Sequence, residues 1–192
     1  MTAVVFDVGE TLVDETRQCE EAADAAGVPR FTFMALAGAA IERGLQPQDH
    51  VFSWLGVERP TGTPFDARDL YADVLPCITA LRGRGIRVAA AGNMAAANEE
   101  FVGSLVDFVG SSERFGVAKP EPAFFTRLAD ELHLAAAEIA YVGDRVDNDV
   151  SPALAAGMVA VHIRRGPWGY LHEPPAEAVR IRSLDELPEA LR

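Results

Sequence analysis

The chain has 192 residues and a mass of 20.6 kDa, enough for one large domain or a core domain with one sizeable insertion. Its formal charge of −12 speaks against nucleic acid as a partner, because that binding needs Lys and Arg to neutralise phosphates. No apolar run approaches the roughly 18 residues of a membrane span, and the opening MTAVVFDVGETLVDE lacks the basic stretch of a secretory leader, so a cytoplasmic location is expected.

Residues 3–6 are apolar and end at Asp7 and Gly9, which predicts a buried strand running into a turn. Alanine-rich stretches follow at 16–26, 33–43 and 47–55, separated by Gly27 and Gly44. They predict a helical insertion, and the prolines and glycine of 58–64 predict a loop returning from it. Beyond Asp73 the pattern alternates. Helices are expected at 74–82, 95–105, 122–132 and 151–156, with strands at 86–91, 108–109, 139–142 and 159–163. The segment after Gly166 reads as a loop before a short strand at 179–181 and a small helix near 186–191. Alternating strands and helices imply right-handed crossovers and a doubly wound parallel sheet, an α/β fold of Rossmann-like type. The core is assigned to residues 1–14 and 74–192, and the helical insertion to 15–73. Cys19 and Cys77 lack metal-ligand spacing and read as buried or half-buried thiols.

In such sheets ligands bind beyond the carboxyl ends of the strands. Four of those ends carry polar residues or glycine: Asp7 with Gly9, Gly92 with Asn93, the turn before Lys119, and Gly143 with Asp144. Each feature alone has a plain structural reading: Asp7 as a turn residue, Lys119 as a solvated loop lysine, Gly143-Asp144 as a surface turn. Together and in order they assemble a nucleophilic carboxylate, a phosphate-binding turn, a lysine and an acidic pair. Asp7, Asp144 and Asp149 offer hard oxygens suited to Mg²⁺. Lys119 would hold Asp7 ionised and stabilise phosphoryl oxygens, and turn amides at Gly9, Glu10, Gly92 and Asn93 could bind them. The four histidines, His50, His133, His162 and His172, share no spacing and read as surface or boundary residues. Phe52, Trp54, Trp168 and Tyr170 suit packing or a substrate surface, and Arg164 and Arg165 read as loop arginines.

Three segments, Phe6-Asp7-Val8-Gly9-Glu10-Thr11-Leu12, Val117-Ala118-Lys119-Pro120-Glu121-Pro122 and Gly143-Asp144-Arg145-Val146-Asp147-Asn148-Asp149, resemble the haloacid dehalogenase superfamily. The resemblance covers nearly the whole chain, because that family inserts a mobile helical cap after the first strand. It implies a Mg²⁺-dependent phosphatase of a small phosphorylated metabolite. Asp7 would be the nucleophile that becomes an aspartyl-phosphate, and Lys119 the charge stabiliser. Gly92 and Asn93 would form the substrate-binding turn, and the metal would be held by Asp7, the Gly9 carbonyl, Asp144 and Asp149.

Two positions depart from the family pattern. Gly9 stands where phosphatases usually carry a second Asp that serves as general acid and base, a loss worth about 10²- to 10⁴-fold in rate. Glu10 could take over only if the turn points its side chain inward. Gly92 stands where a Ser or Thr hydroxyl usually meets the phosphoryl group. Slow turnover is therefore expected. One alternative is a catalytically weakened member that binds a phosphorylated ligand or a partner protein. A second is a 2-haloacid dehalogenase, which also lacks the second Asp, although Asp144 and Asp149 would then stand beside an anionic substrate.

Overall fold

The computed structural model describes residues 1–94 and 96–192. Contacts divide the chain into two compact units, Asp14–Pro64 and the combination of Met1–Val13 with Phe65–Arg192. The segment 65–73, expected in the insertion, folds with the larger unit. Val13 bridges Leu70 antiparallel, and the Tyr71 amide donates to the Leu12 carbonyl at 3.1 Å, so the returning chain is stitched to the departing one.

The smaller unit contains helices α1 (Thr16–Ala25), α2 (Arg30–Glu42) and α3 (Pro47–Leu55). Pro47 begins α3, where its missing amide costs nothing, and Gly56 ends it at φ 69°, a conformation that favours glycine. Ala23, Phe33, Val51 and Phe52 form a core of their own, with the two phenylalanine rings 5.4 Å apart. Trp54 stays 41% exposed beneath the Arg43 guanidinium.

The larger unit carries a parallel sheet of six strands among the described residues. They are β1 (Ala3–Phe6), β2 (Arg87–Gly92), β3 (Phe108–Ser111), β4 (Ile139–Gly143), β5 (Val159–Ile163) and β6 (Val179–Ile181), in the order β3-β2-β1-β4-β5-β6. Around it lie α4 (Val74–Gly83), α5 (Glu99–Gly103), α6 (Ser112–Phe115), α7 (Pro122–Leu132), α8 (Ser151–Ala155), α9 (Gly166–Leu171) and α10 (Leu187–Ala190). The strands are apolar throughout because both faces are covered. Val4 and Phe6 join a core with Val74 and Leu81 of α4 and Leu187 of α10. Val5 points the other way, to a core with Phe124, Phe125, Leu128 and Leu132 of α7. Those four residues recur at helical spacing, so one face of α7 is buried from end to end.

This strand order reverses direction at β1, whose neighbours are β2 on one side and β4 on the other. Such a reversal opens a crevice at the carboxyl ends of these strands.

Two of the departures from the expected elements lie in the segments 95–105 and after Gly166. The predicted helix 95–105 is instead a 3₁₀ turn, Ala96–Asn98, followed by α5, and its expected first residue, Ala95, lies outside the described residues. The loop expected after Gly166 is helix α9. Pro167 is tolerated in a first helical turn. Gly169 serves close packing, since a Cβ there would lie 2.8 Å from the Ile163 carbonyl oxygen at the end of β5.

Candidate active site

Asp7 follows β1 directly, and its amide donates to the Val142 carbonyl of β4 at 2.8 Å, which extends the sheet pairing to the residue itself. Beyond it the chain folds back tightly. The amides of Thr11, Leu12 and Val13 all donate to the Val8 carbonyl, and that of Glu10 donates to Val13 at 2.8 Å. The Glu10 amide, considered from sequence as a phosphate donor, is thus engaged inside the turn.

Lys119 extends from the segment after α6, and its ammonium lies 2.6 Å from Asp7 Oδ1 and 2.6 Å from Asp149 Oδ1. Its side chain is 1% exposed. Burial disfavours the ammonium, but Asp149 and then Asp7 outweigh it and push the lysine pKa well above its ordinary value. Asn93 fixes the segment by a double hydrogen bond. Its Nδ2 donates to the Lys119 carbonyl at 2.9 Å and its Oδ1 accepts from the Lys119 amide at 2.8 Å. The Asn93 side chain thus places the lysine.

Asp144 follows β4, and Asp149 reaches the same edge through a π-helical turn, Val146–Val150, that sequence reading did not resolve. The widened turn shows in the Arg145 carbonyl, which accepts from the amides of both Asp149 and Val150. Asp149 then lies directly over Gly143, where any Cβ would collide with its carboxylate, so the glycine of the Gly-Asp pair makes room for the second acid. Gly92 has the same role toward Asp7, since a Cβ there would sit 2.6 Å from Asp7 Oδ1. Burial and the nearby Asp7 charge push the Asp149 carboxyl up to about 6, despite Lys119.

Each of Asp7, Asp144 and Asp149 has a carboxylate oxygen within 4.8 Å of those of the other two. Asp7 and Asp149 share one ammonium, and Asp144 adds a third carboxylate. This donor set fits Mg²⁺, which prefers a few hard oxygens. A divalent charge would also relieve the crowding that raises the Asp149 pKa. Gly9 stands two residues beyond Asp7 in the turn and pairs with Val13 in an isolated bridge.

Several supporting residues escaped the sequence reading. The Tyr141 ring lies under the Lys119 ammonium at 5.4 Å, and its hydroxyl donates to the Ala91 carbonyl at 2.6 Å. Within β4 it carried only the signal of a buried strand residue. His162, expected near the surface, is 2% exposed, and its Nε2 donates to the Asp144 carbonyl at 3.1 Å. Burial lowers its pKa, against the opposing effect of that bond. Arg165, read as a loop arginine, donates to the Thr11 carbonyl at 2.9 Å, pairs with Asp73 and lies 4.0 Å over the Tyr71 ring. Trp168 is buried beneath the Arg145 guanidinium at 3.7 Å, while Tyr170 remains exposed beside Arg164.

The family model of haloacid dehalogenase-like hydrolases matches residues 1–157. A glyceraldehyde 3-phosphate phosphatase of Methanopyrus kandleri is 29% identical over 225 aligned positions, covering 97% of this chain and 91% of that protein. A glyceraldehyde 3-phosphate phosphatase of Methanocaldococcus jannaschii is 38% identical over 86 residues, which span 45% of this chain and 38% of that protein. Among solved structures, the magnesium-bound HAD hydrolase YfnB of Bacillus subtilis superimposes with a TM-score of 0.76 at 16% identity, covering 100% of this chain and 99% of that one. At that identity the likeness speaks for the fold alone. With most of its length matched by the family model, the chain belongs to the haloacid dehalogenase-like hydrolases.

Proposed function

We propose that the chain is a Mg²⁺-dependent phosphatase of small phosphorylated metabolites that works through an aspartyl-phosphate on Asp7. The observation that carries this reading is Lys119, buried and bridging Asp7 and Asp149 at 2.6 Å on each side, with Asp144 in the same acidic cluster. A carboxylate attacks phosphorus only where the mutual repulsion of the two anions is neutralised. Lys119 sets its positive charge 2.6 Å from Asp7 Oδ1, where it would face the oxygens on which charge develops. Asp7, Asp144, Asp149 and the Gly9 carbonyl would hold Mg²⁺, and the bound ion would supply the remaining positive charge. Gly92 keeps a Cβ from crowding the Asp7 carboxylate, and Asn93 keeps Lys119 in register. The helical unit Asp14–Pro64 is proposed as the cap that selects the substrate. Because both archaeal relatives act on glyceraldehyde 3-phosphate, a phosphorylated triose is the first metabolite to assay.

The test is release of phosphate from an aryl phosphate and from glyceraldehyde 3-phosphate, with and without Mg²⁺. Activity should require Mg²⁺ and vanish in Asp7→Asn, a fall of at least about 10³-fold. Turnover that survives either change would overturn the reading. Beryllium fluoride bound at Asp7 would mark a competent nucleophile. Mg²⁺ binding with neither adduct nor turnover would point instead to a member that only binds its phosphorylated ligand.

A further inference from the structure

Gly9 leaves the reaction without its usual proton carrier, and Glu10 is the neighbouring acid. Glu10 holds a left-handed backbone conformation at φ 51° and is 9% exposed. Its Oε2 accepts a hydrogen bond from the Tyr71 hydroxyl at 2.6 Å. On its other side the side chain lies against the backbone that opens α9, where a Cβ added to Gly166 would stand 2.6 Å from Glu10 Cβ, Cγ and Oε2. Tyr71 is itself held. Its amide donates to the Leu12 carbonyl at 3.1 Å, and the Arg165 guanidinium covers its ring at 4.0 Å while donating to the Thr11 carbonyl at 2.9 Å. Residues 10, 11 and 12 of the turn that follows Asp7 are therefore gripped by Tyr71 and Arg165, which come from two separate stretches of chain.

A proton carrier must bring its oxygen to the leaving-group atom. Glu10 Oε2 is directed to Tyr71 and packed on Gly166. We propose that Glu10 is a positioning residue, which fixes the turn bearing Asp7 and Gly9 through its bond to Tyr71, and that it does not replace the acid missing at Gly9. This inference rests on the phosphatase reading for its kinetic consequences and on geometry alone for the clamp. Without a proton from Glu10, leaving groups that depart unprotonated, such as those of acyl and aryl phosphates, are favoured over alkoxides.

The experiment compares Glu10→Gln, Glu10→Ala and Tyr71→Phe, well below their melting temperatures, by steady-state kinetics on an aryl phosphate and by deuterium exchange of the turn amides. Glutamine can still accept the tyrosine hydrogen bond, so Glu10→Gln should restore the wild-type pH profile and kcat within about twofold. Glu10→Ala and Tyr71→Phe should lower kcat about tenfold with little change in KM, because a misplaced nucleophile reacts slowly once substrate is bound. The amides of residues 10–13 should exchange faster in both. A loss of about 10²-fold or more in Glu10→Gln, with one limb of the pH profile removed, would make Glu10 the proton carrier and overturn the proposal. Unchanged exchange in Tyr71→Phe would also overturn it. If the wild-type protein hydrolyses no phosphoester, the phosphatase reading fails, and the exchange measurement still decides the clamp.

Discussion

Two polar clusters of the larger unit, one buried and one half-buried, are built to different balances. At the carboxyl edge of β1 and β4, Asp7 and Asp149 divide a single ammonium between them. Beside it, one carboxylate, Asp73, receives three donors on the same oxygen: the Arg165 guanidinium, the Ser183 hydroxyl at 2.8 Å and the Leu184 amide at 2.9 Å. The two carboxyls accordingly shift in opposite directions. Burial opposes ionisation of Asp73, but its three donors outweigh that and hold it below the usual carboxylate range. Burial and Asp7 raise Asp149 despite Lys119. The chain's own fold supplies Asp73 Oδ2 with three donors. Asp7 and Asp149 have one ammonium for two carboxylates and are short of positive charge.

The comparison breaks most directly at the shared ammonium. Lys119→Met leaves two carboxylates facing each other at the reaction centre, and kcat should fall about 10²- to 10³-fold on an aryl phosphate at saturating Mg²⁺. A variant within a few-fold of wild type would show that the lysine only packs. The next largest effect is on stability. If the cluster is short of positive charge, Mg²⁺ at about 100 times its dissociation constant should add roughly 2.7 kcal/mol, which is a rise of about 5–10 °C in Tm for a chain of this size. Asp149→Asn should remove most of that rise, whereas Asp73→Asn should leave it intact. Equal rises in all three proteins would place the ion elsewhere.

Asp73→Asn probes the balanced cluster in turn, and it should cost about 2 kcal/mol near neutral pH, measured by denaturant unfolding. The pH dependence follows from the depressed pKa. The stabilisation is fully present above the unfolded value of about 3.9 and is lost as pH falls through the lower folded value. The difference between wild type and Asp73→Asn should therefore shrink in acid. A difference that persists undiminished in strong acid would mean that packing, and not the ion pair, stabilises this cluster.

The two clusters were not equally legible in the sequence. Asp7 and Asp144 directly follow strands, and Lys119 and Asp149 lie in the connections beyond β3 and β4, where an alternating α/β pattern exposes its chemistry, so their convergence followed from the periodicity of the intervening segments. Asp73, Arg165 and Ser183 carried no such signal, because their meeting depends on how the chain after β5 lies against the segment returning from the insertion. The same limit hid α9. Its two glycines read as breakers, yet Gly169 is there because the Ile163 carbonyl leaves no space for a Cβ. The π-helical turn was hidden for a related reason. No local preference distinguishes Val146–Val150 from an ordinary helical start, and only the bare Cα of Gly143 beneath Asp149 explains it. Asn93 lies at this edge, and its side chain is committed to the Lys119 backbone, a partner that spacing does not reveal.

The smallest expected effect separates a centre that is short of charge from one that is also short of a proton carrier. Gly9 is not among the residues with positive φ, so its backbone conformation admits a side chain. Gly9→Asp would place a carboxyl two residues beyond the nucleophile, where it could protonate a departing alkoxide and later take the proton of the attacking water. For an aryl phosphate, whose leaving group departs as a stable anion, only the second step gains, and kcat should change by a few-fold at most. For glyceraldehyde 3-phosphate, whose alkoxide must be protonated as it leaves, kcat should rise by about tenfold or more. The ratio of the two substrates' kcat/KM values is the measurement, because it cancels any change in folding or metal affinity. A ratio unmoved by Gly9→Asp would mean that the wild-type centre already protonates its leaving group, and the proton source would then have to be sought outside the turn that follows β1.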